Sequence, residues 1–343
     1  MSSKKIRLAL ALGALAALAV VASVTAATTK THDVKLTKVS VGLAVIPPKM
    51  IFIGFYVAKD KGFFKKNGLD VSLVGEGDGV KSLRGTAAGA FDMGGTSADD
   101  VIAAAAQGGK ITSVWSYAMP LDSTIVADQS VKTVADLKGK NIGITDPGGF
   151  SDVQVRAVLA QAHISTKDVH LISLPSRSAL LPALVAGRIN AAPFHIDDGL
   201  AAREQDSKLH AIKSIYESLP NWWYGSLAVT DDYAQKNGAT IEKFITAMIQ
   251  ADRWIYSHRA ATIAIGVKES QESKTAVSGA YDFLAKAHAW TVNTGLQRSR
   301  VMSTMQHEHA YKEIPRVPTY NEVANVTFAN AVVAKLGKWK TGY

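Results

Sequence analysis

The stretch NIGITDPGGFSDVQVRAVL, residues 141–159, reads as a strand, a glycine-rich turn and a helix. Ile142 and Ile144 suit a buried strand, Pro147-Gly148-Gly149 interrupts it, and an apolar helix opens near Ser151. This unit builds parallel sheets, and its turn is also a place where a helix N-terminus can hold an anion.

The same grammar recurs on both sides. Strands are predicted at 38–45, 70–74, 90–93 and 111–117, with helices over 51–66, 80–88 and 97–107 between them. A second series has strands at 124–127, 141–145, 169–174, 189–193 and 211–215, with helices over 150–162, 178–186 and 197–205. Two α/β blocks with parallel sheets follow, at about 38–118 and 125–216. From Asp231 the pattern is mostly helical, ending in an amphipathic helix over 322–336.

The blocks share a second feature. Gly94-Gly95-Thr96-Ser97 and Gly148-Gly149-Phe150-Ser151 each put a serine where a helix starts, with Asp100 or Gln154 three residues later. Both pairs fit a capping box. Both also sit at strand carboxyl ends, where open α/β sheets bind ligands. Capping and ligand binding stay open as alternatives. A nucleotide is disfavoured: neither turn has the lysine of G-x-x-x-x-G-K-[ST], and Gly143, Gly148 and Gly149 miss the G-x-G-x-x-G spacing.

Composition narrows the class. The chain has 343 residues, 47% hydrophobic and 20% charged, enough for two cored domains. Lys4, Lys5 and Arg7, the apolar run 8–21 and the small residues 22–26 form a secretory signal over residues 1–26. An uncleaved anchor is the alternative, but the run is shorter than the ~18 residues a span needs. The net charge is +9, of which three positive charges belong to that leader, leaving 9 − 3 = +6. The cations are scattered rather than striped, so no nucleic-acid partner is expected. With no cysteine there is no disulfide, thiolate metal site or lipid-modified cysteine. Gln306-His307-Glu308-His309 lacks H-E-x-x-H spacing, so no metal is expected either.

Four segments in order, FYVAKDKGFFKKNGLDVSLV (55–74), LRGTAAGAFDMGGTSADDVIAAAAQGG (83–109), VKTVADLKGKNIGITDPGGFSDVQVRAVL (131–159) and LPALVAGRINAAPF (181–194), carry a resemblance. Together they resemble the solute-binding proteins of ABC importers of the nitrate/taurine/alkanesulfonate type, which also include binders of pyrimidine precursors. The resemblance implies a type II periplasmic-binding fold, with two α/β lobes that close on a ligand by hinge motion. Lobe one would be 38–120 plus 225–343 and lobe two 121–224, with crossovers near 119–122 and 218–225. The implied partners are a small-molecule ligand, a permease and an ATPase; no cofactor is implied, and the chain would act as a periplasmic monomer and not as an enzyme.

By the same resemblance Gly95, Thr96 and Ser97 match the first ligand turn, and Gly149, Phe150 and Ser151 the second. Phe150 interrupts the usual Gly-Ser pair. Phe194, His195 and Asp197 follow a strand where the family often has an aromatic and an acid. From the residues alone, His195 is either a ligand donor or a structural histidine, and Asp197 and Asp198 either hold an amine or cap a helix. Trp222 and Trp223, beside Tyr224, either pack the hinge or face a ring; three adjacent large aromatics are expected to leave at least one outside the core. The expected ligand is a small organic anion (sulfonate, carboxylate or aromatic acid), with a pyrimidine-type heterocycle second.

Overall fold

The computed structural model describes residues 35–340. The export signal expected over residues 1–26 lies outside them. Among the described residues no helix is long and apolar enough to cross a membrane.

Among the described residues ten strands form two five-stranded sheets. In the first, β1 (Thr37–Leu43), β2 (Leu69–Gly75), β3 (Met93–Ser97) and β4 (Ile111–Trp115) come from the first block. In the second, β5 (Ser123–Ala127), β6 (Asn141–Ile144), β7 (His170–Ser173), β8 (Ala191–His195) and β9 (His210–Ser214) come from the second. β10 (Gly225–Thr230) returns to the first sheet. The orders are β2-β1-β3-β10-β4 and β7-β6-β8-β5-β9.

The expectation of purely parallel sheets needs correction. β10 runs antiparallel to β3 and β4, and β5 antiparallel to β8 and β9. The reason is topological. These strands arrive from the other lobe rather than through a helical crossover on their own sheet, and only the latter demands a parallel neighbour. Each sheet thus has the same plan, with the incoming strand slotted between its third and fourth members.

The two connections between the sheets lie side by side. Tyr224 N–H donates to the Met119 carbonyl at 3.1 Å and Gly225 N–H to that of Ala118 at 2.8 Å. The helical tail does not serve the first sheet alone: the helix Lys274–Lys286 packs on Ile196–Gln205 of the second. Gly279 sits there so closely that a Cβ would lie 2.8 Å from Leu200 Cδ1.

Local boundaries also shift. Gly94-Gly95 belongs to β3 itself, and the helix begins at Ala98. Gly95 is needed for packing rather than turning, because a Cβ would stand 2.7 Å from Leu43 Cδ2. The expected helix 51–66 breaks at Gly62, whose φ is 72°. The last helix divides into Tyr320–Val323 and Thr327–Leu336.

Candidate functional site

The carboxyl ends of strands from both sheets converge on one enclosed cavity. Ala44 and Val45 follow β1; Gly77, Asp78 and Gly79 follow β2; Ser97 ends β3. From the other side come Thr145 and Phe150 after β6, Arg177 after β7 and His195 at the end of β8, with Tyr224 from the second connection. The cavity is only about 30 Å³, the space of roughly one water. Phe150 lies on its wall, its ring centroid 4.8 Å from Tyr224 and 6.5 Å from His195.

The two glycine turns behave differently from each other. Ser97 caps the helix Ala98–Ala106 in a true capping box with Asp100. Asp100 accepts from the Ser97 hydroxyl at 2.7 Å, from Ser97 N–H at 3.2 Å and from the Thr96 hydroxyl. A carboxylate of the chain itself thus loads this helix start. Burial pushes Asp100 up to about 6 against those donors. At the second turn Gly149, not Ser151, is the N-cap, and the helix starts at Phe150. Ser151 is fully buried, and its hydroxyl accepts from Thr145 N–H at 2.8 Å. Gly148 N–H is met by Asp152 at 2.8 Å, with Gly148 at φ 74°. The serine cap expected at this second turn is corrected accordingly: Ser151 is committed inside the protein, whereas Ser97 caps its helix as expected.

Asp78 is the acid nearest the cavity. It accepts from Val80 N–H at 2.8 Å and, across the cleft, from the Thr145 hydroxyl at 3.3 Å. Burial first, then neighbouring Asp146, raises its pKa. His195 Nδ1 lies 2.8 Å from both carboxyl oxygens of Asp122. Burial pushes Asp122 up to about 7 and His195 down to about 3, so the imidazole is uncharged at physiological pH.

Asp197 is placed elsewhere. It accepts from Met50 N–H at 2.7 Å, while Lys49 pairs with Asp198 at 2.6 Å and with Glu272. The residues after β1 are thereby latched to the start of the helix Ile196–Gln205 on the other lobe. Burial, then Asp197, raises Glu272 to about 8. The amine that this acidic pair holds is the chain's own lysine.

Among the other expected site residues, Ser97, Phe150 and His195 reach the inner cavity. Gly149 borders it, with its would-be Cβ 3.7 Å from Val80 of the opposite lobe. Gly95 and Thr96 lie beneath, Thr96 donating to Gly79 O at 3.0 Å and accepting at its carbonyl from Tyr117 at 2.9 Å. Phe194 lines a larger outer cavity. The aromatic run divides: Trp222, Trp223 and Tyr224 are 3%, 0% and 2% exposed, so the two tryptophans expected at the ligand are a correction, while Tyr224 is on the cavity wall. Trp222 donates to Asp99 at 3.0 Å, Trp223 enters the core, and Tyr224 faces the cleft. Asp78, Thr145 and Arg177 were missed. Each follows a strand end, so extending the carboxyl-end rule from β3 and β6 to every strand finds them.

Comparison with known proteins agrees with this architecture. The family model described as NMT1/THI5 like matches residues 49–261. A Haemophilus influenzae protein named for thiamine biosynthesis is 30% identical over 212 residues, 59% of this chain and 64% of the relative. This chain thus spans just under two thirds of that relative. The formylaminopyrimidine-binding protein of Halalkalibacterium halodurans is 24% identical, covering 74% of this chain and 75% of the relative. Among solved structures, the alkanesulfonate-binding protein SsuA of Xanthomonas axonopodis pv. citri, bound to MOPS, superposes with a TM-score of 0.71 at 20% identity, covering 85% of this chain and 99% of its own. The periplasmic nitrate-binding protein NrtA of Synechocystis superposes at 0.74 with 12% identity, covering 88% of this chain and 90% of its own. At these identities the two structures show a shared fold, that of periplasmic binding proteins.

Proposed function

Because the chain belongs to the NMT1/THI5-like family, we propose that it is the solute-binding component of an ABC importer and that its ligand is a planar amino-heterocycle of the pyrimidine type. In this reading lobe one is 38–120 plus 225–343 and lobe two 121–224; they hinge at the paired connections and deliver the ligand to a permease. An export signal over residues 1–26 would carry the chain to the periplasm. Amino-terminal sequencing of the exported protein checks this: the expected mature chain starts after Ala26 or Ala27, and retention of Met1 speaks against export.

The feature that supports the ligand class is the cleft's own chemistry. With the lobes parted, Phe150 and Tyr224 would offer aromatic faces to a ring and Asp78 an acceptor to its amino group. A bare small anion suits the site less well: Asp78 offsets Arg177 on its wall, His195 is neutral, and the helix start at Ala98 already carries Asp100. The names of the Haemophilus and Halalkalibacterium relatives point the same way.

A ligand at 100 times its Kd should stabilise the protein by about 2.7 kcal/mol, a readily visible rise in Tm. We expect that rise with 4-aminopyrimidines and not with nitrate or taurine, and Asp78→Asn should weaken the ring's binding about tenfold, ~1.4 kcal/mol. Calorimetry in which taurine binds and no aminopyrimidine does would overturn the heterocycle reading.

A further inference from the structure

A cavity of about 480 Å³ shares no residue with those of the cleft. It is an open depression where three distant segments meet: Phe63 and Lys66 of the helix Phe63–Lys66, Arg253 and Trp254 of the helix Gly238–Ser257, and Trp339 beyond the last helix. Trp339 is fixed in place. Its N–H donates to Asn293 Oδ1 at 2.9 Å, and Arg253 Nη2 donates to Gly337 O at 2.6 Å. The three rings are half-buried, and each has a cation beside it. Lys66 Nζ is 5.3 Å from the Phe63 centroid, Lys61 Nζ 5.3 Å from that of Trp254, and Arg253 Cζ 5.5 Å from that of Trp339.

Further cations surround the depression. Lys338 and Lys340 flank Trp339, and both are exposed. Lys243 lies two helical turns before Gln250 on one helix face, its Nζ 3.8 Å from where a Cβ on Gly68 would stand. Lys61 is paired with Asp60 at 2.9 Å and Lys335 with Glu242 at 2.6 Å. Lys66, Lys243, Lys338 and Lys340 pair with no acid among the described residues. These positions are far apart in sequence, so the charge gathers only in the folded chain. The contacts with the rings do not use it up: a cation over a ring face keeps its charge and its N–H donors.

Half-buried tryptophan among exposed lysines is the make-up of a surface that meets a bilayer. The rings settle at headgroup depth, and the long lysine stems carry their charges to lipid phosphates. The excess of positive charge selects an anionic leaflet over a neutral one. We propose that this face docks reversibly on an anionic phospholipid surface, with Trp254 and Trp339 at headgroup depth and Lys66, Lys338 and Lys340 on lipid phosphates. The inference is independent of the ligand class. Under the importer reading it would hold the protein beside the membrane that contains the permease.

The test places a dye on the full chain, which has no cysteine of its own. Ser257→Cys puts one environment-sensitive dye at the exposed edge of the depression, and Ala162→Cys puts one at an exposed site beside the second sheet. Vesicles of phosphatidylcholine mixed with phosphatidylglycerol should shift the dye at 257 towards an apolar emission and leave the dye at 162 unchanged. Pure phosphatidylcholine should shift neither, and added salt should reverse the first shift. Lys338→Ala with Lys340→Ala should raise the lipid concentration at half-shift about tenfold or more. Lys167→Ala with Arg188→Ala, an equal loss of charge at exposed sites by the second sheet, should change it by no more than about twofold. The dye comparison needs no lysine variant, so a misfolded variant leaves the test intact. A dye at 257 that stays silent with the anionic vesicles, or two dyes that shift together, refutes the face. Equal weakening by the two lysine pairs reduces the binding to net charge and refutes it as well. If polyglutamate shifts the dye at 257 and the vesicles do not, the partner is an acidic polypeptide and the lipid assignment falls.

Discussion

Trp223→Ala is expected to destabilise the protein by about 3–5 kcal/mol, the range for removing a fully buried tryptophan. The side chain is 0% exposed and packs among Leu296, Val301 and Met305 of the helical tail. Its indole N–H donates to Gly225 O at 3.0 Å and to Ser116 Oγ at 3.2 Å, and its backbone N–H donates to Thr304 Oγ1 at 2.8 Å. It therefore fastens the second connection between the lobes to both the first connection and the tail. Truncation leaves a cavity that this enclosed site has little freedom to collapse, and removes the indole donor from Gly225 O and Ser116 Oγ. Trp223→Phe keeps most of the volume and should lose distinctly less. Urea titration followed by tyrosine fluorescence and circular dichroism reads the change as a shift in midpoint at unchanged slope. Ligand affinity of the folded fraction should stay within about twofold, since a remote core residue acts additively with the cleft. A stable Trp223→Ala protein that binds its ligand tenfold more weakly would put this residue back in the cleft.

Trp223 also shows where the sequence was legible and where it was not. Alternating strands and helices marked out two α/β blocks because that pattern is local. The direction of β5 and β10 is not local. It depends on which sheet the preceding residues left, which periodicity does not record. The capping box at Ser97 and Asp100 was readable because its partners are three residues apart. Ser151 looked the same but turned inward to Thr145, a choice set by the fit of the helix Phe150–Gln161 to its sheet. For the run Trp222-Trp223-Tyr224 the sequence leaves hinge packing and ring-facing open; the choice is made by segments as distant as residues 99, 195 and 304. Arg177 had no motif around it. What singles it out is its place on the cavity wall over the Phe150 ring, a property of the assembled structure alone.

Stability is expected to fall steeply as pH rises from 6.5 to 8.5. Asp99, on the helix Ala98–Ala106, and Glu308, on the helix Arg298–Ala310, are each 1% exposed. Trp222 donates to one oxygen of Asp99; the other, and Glu308 Oε1, find no donor. Two carboxyl groups so placed must share a proton. Burial, reinforced by Asp99 and then by Asp100 and Glu313, holds Glu308 protonated well above its ordinary range, and burial brings Asp99 to about 7. Asp122, at about 7, and Asp252, raised far by burial, add to the effect.

The sign follows from proton counting. The folded state keeps protons that the unfolded chain has already lost near pH 4, so this stabilisation is complete below that pH and is lost as pH rises through the folded values. His195 works in the opposite direction, being neutral when folded and protonated when unfolded, but only below about 6.5. The window above 6.5 therefore isolates the carboxyl groups. Each retained proton is worth ~1.4 kcal/mol per pH unit, so stability declines for as long as Glu308 holds its proton in the fold after the unfolded chain has lost it. Urea midpoints at pH 6.5, 7.5 and 8.5 measure the slope, and Glu308→Gln, whose amide donates to Asp99 without titrating, should flatten it by about one proton. A stability that stays level or rises across this window would mean that the Asp99–Glu308 pair is ionised in the fold.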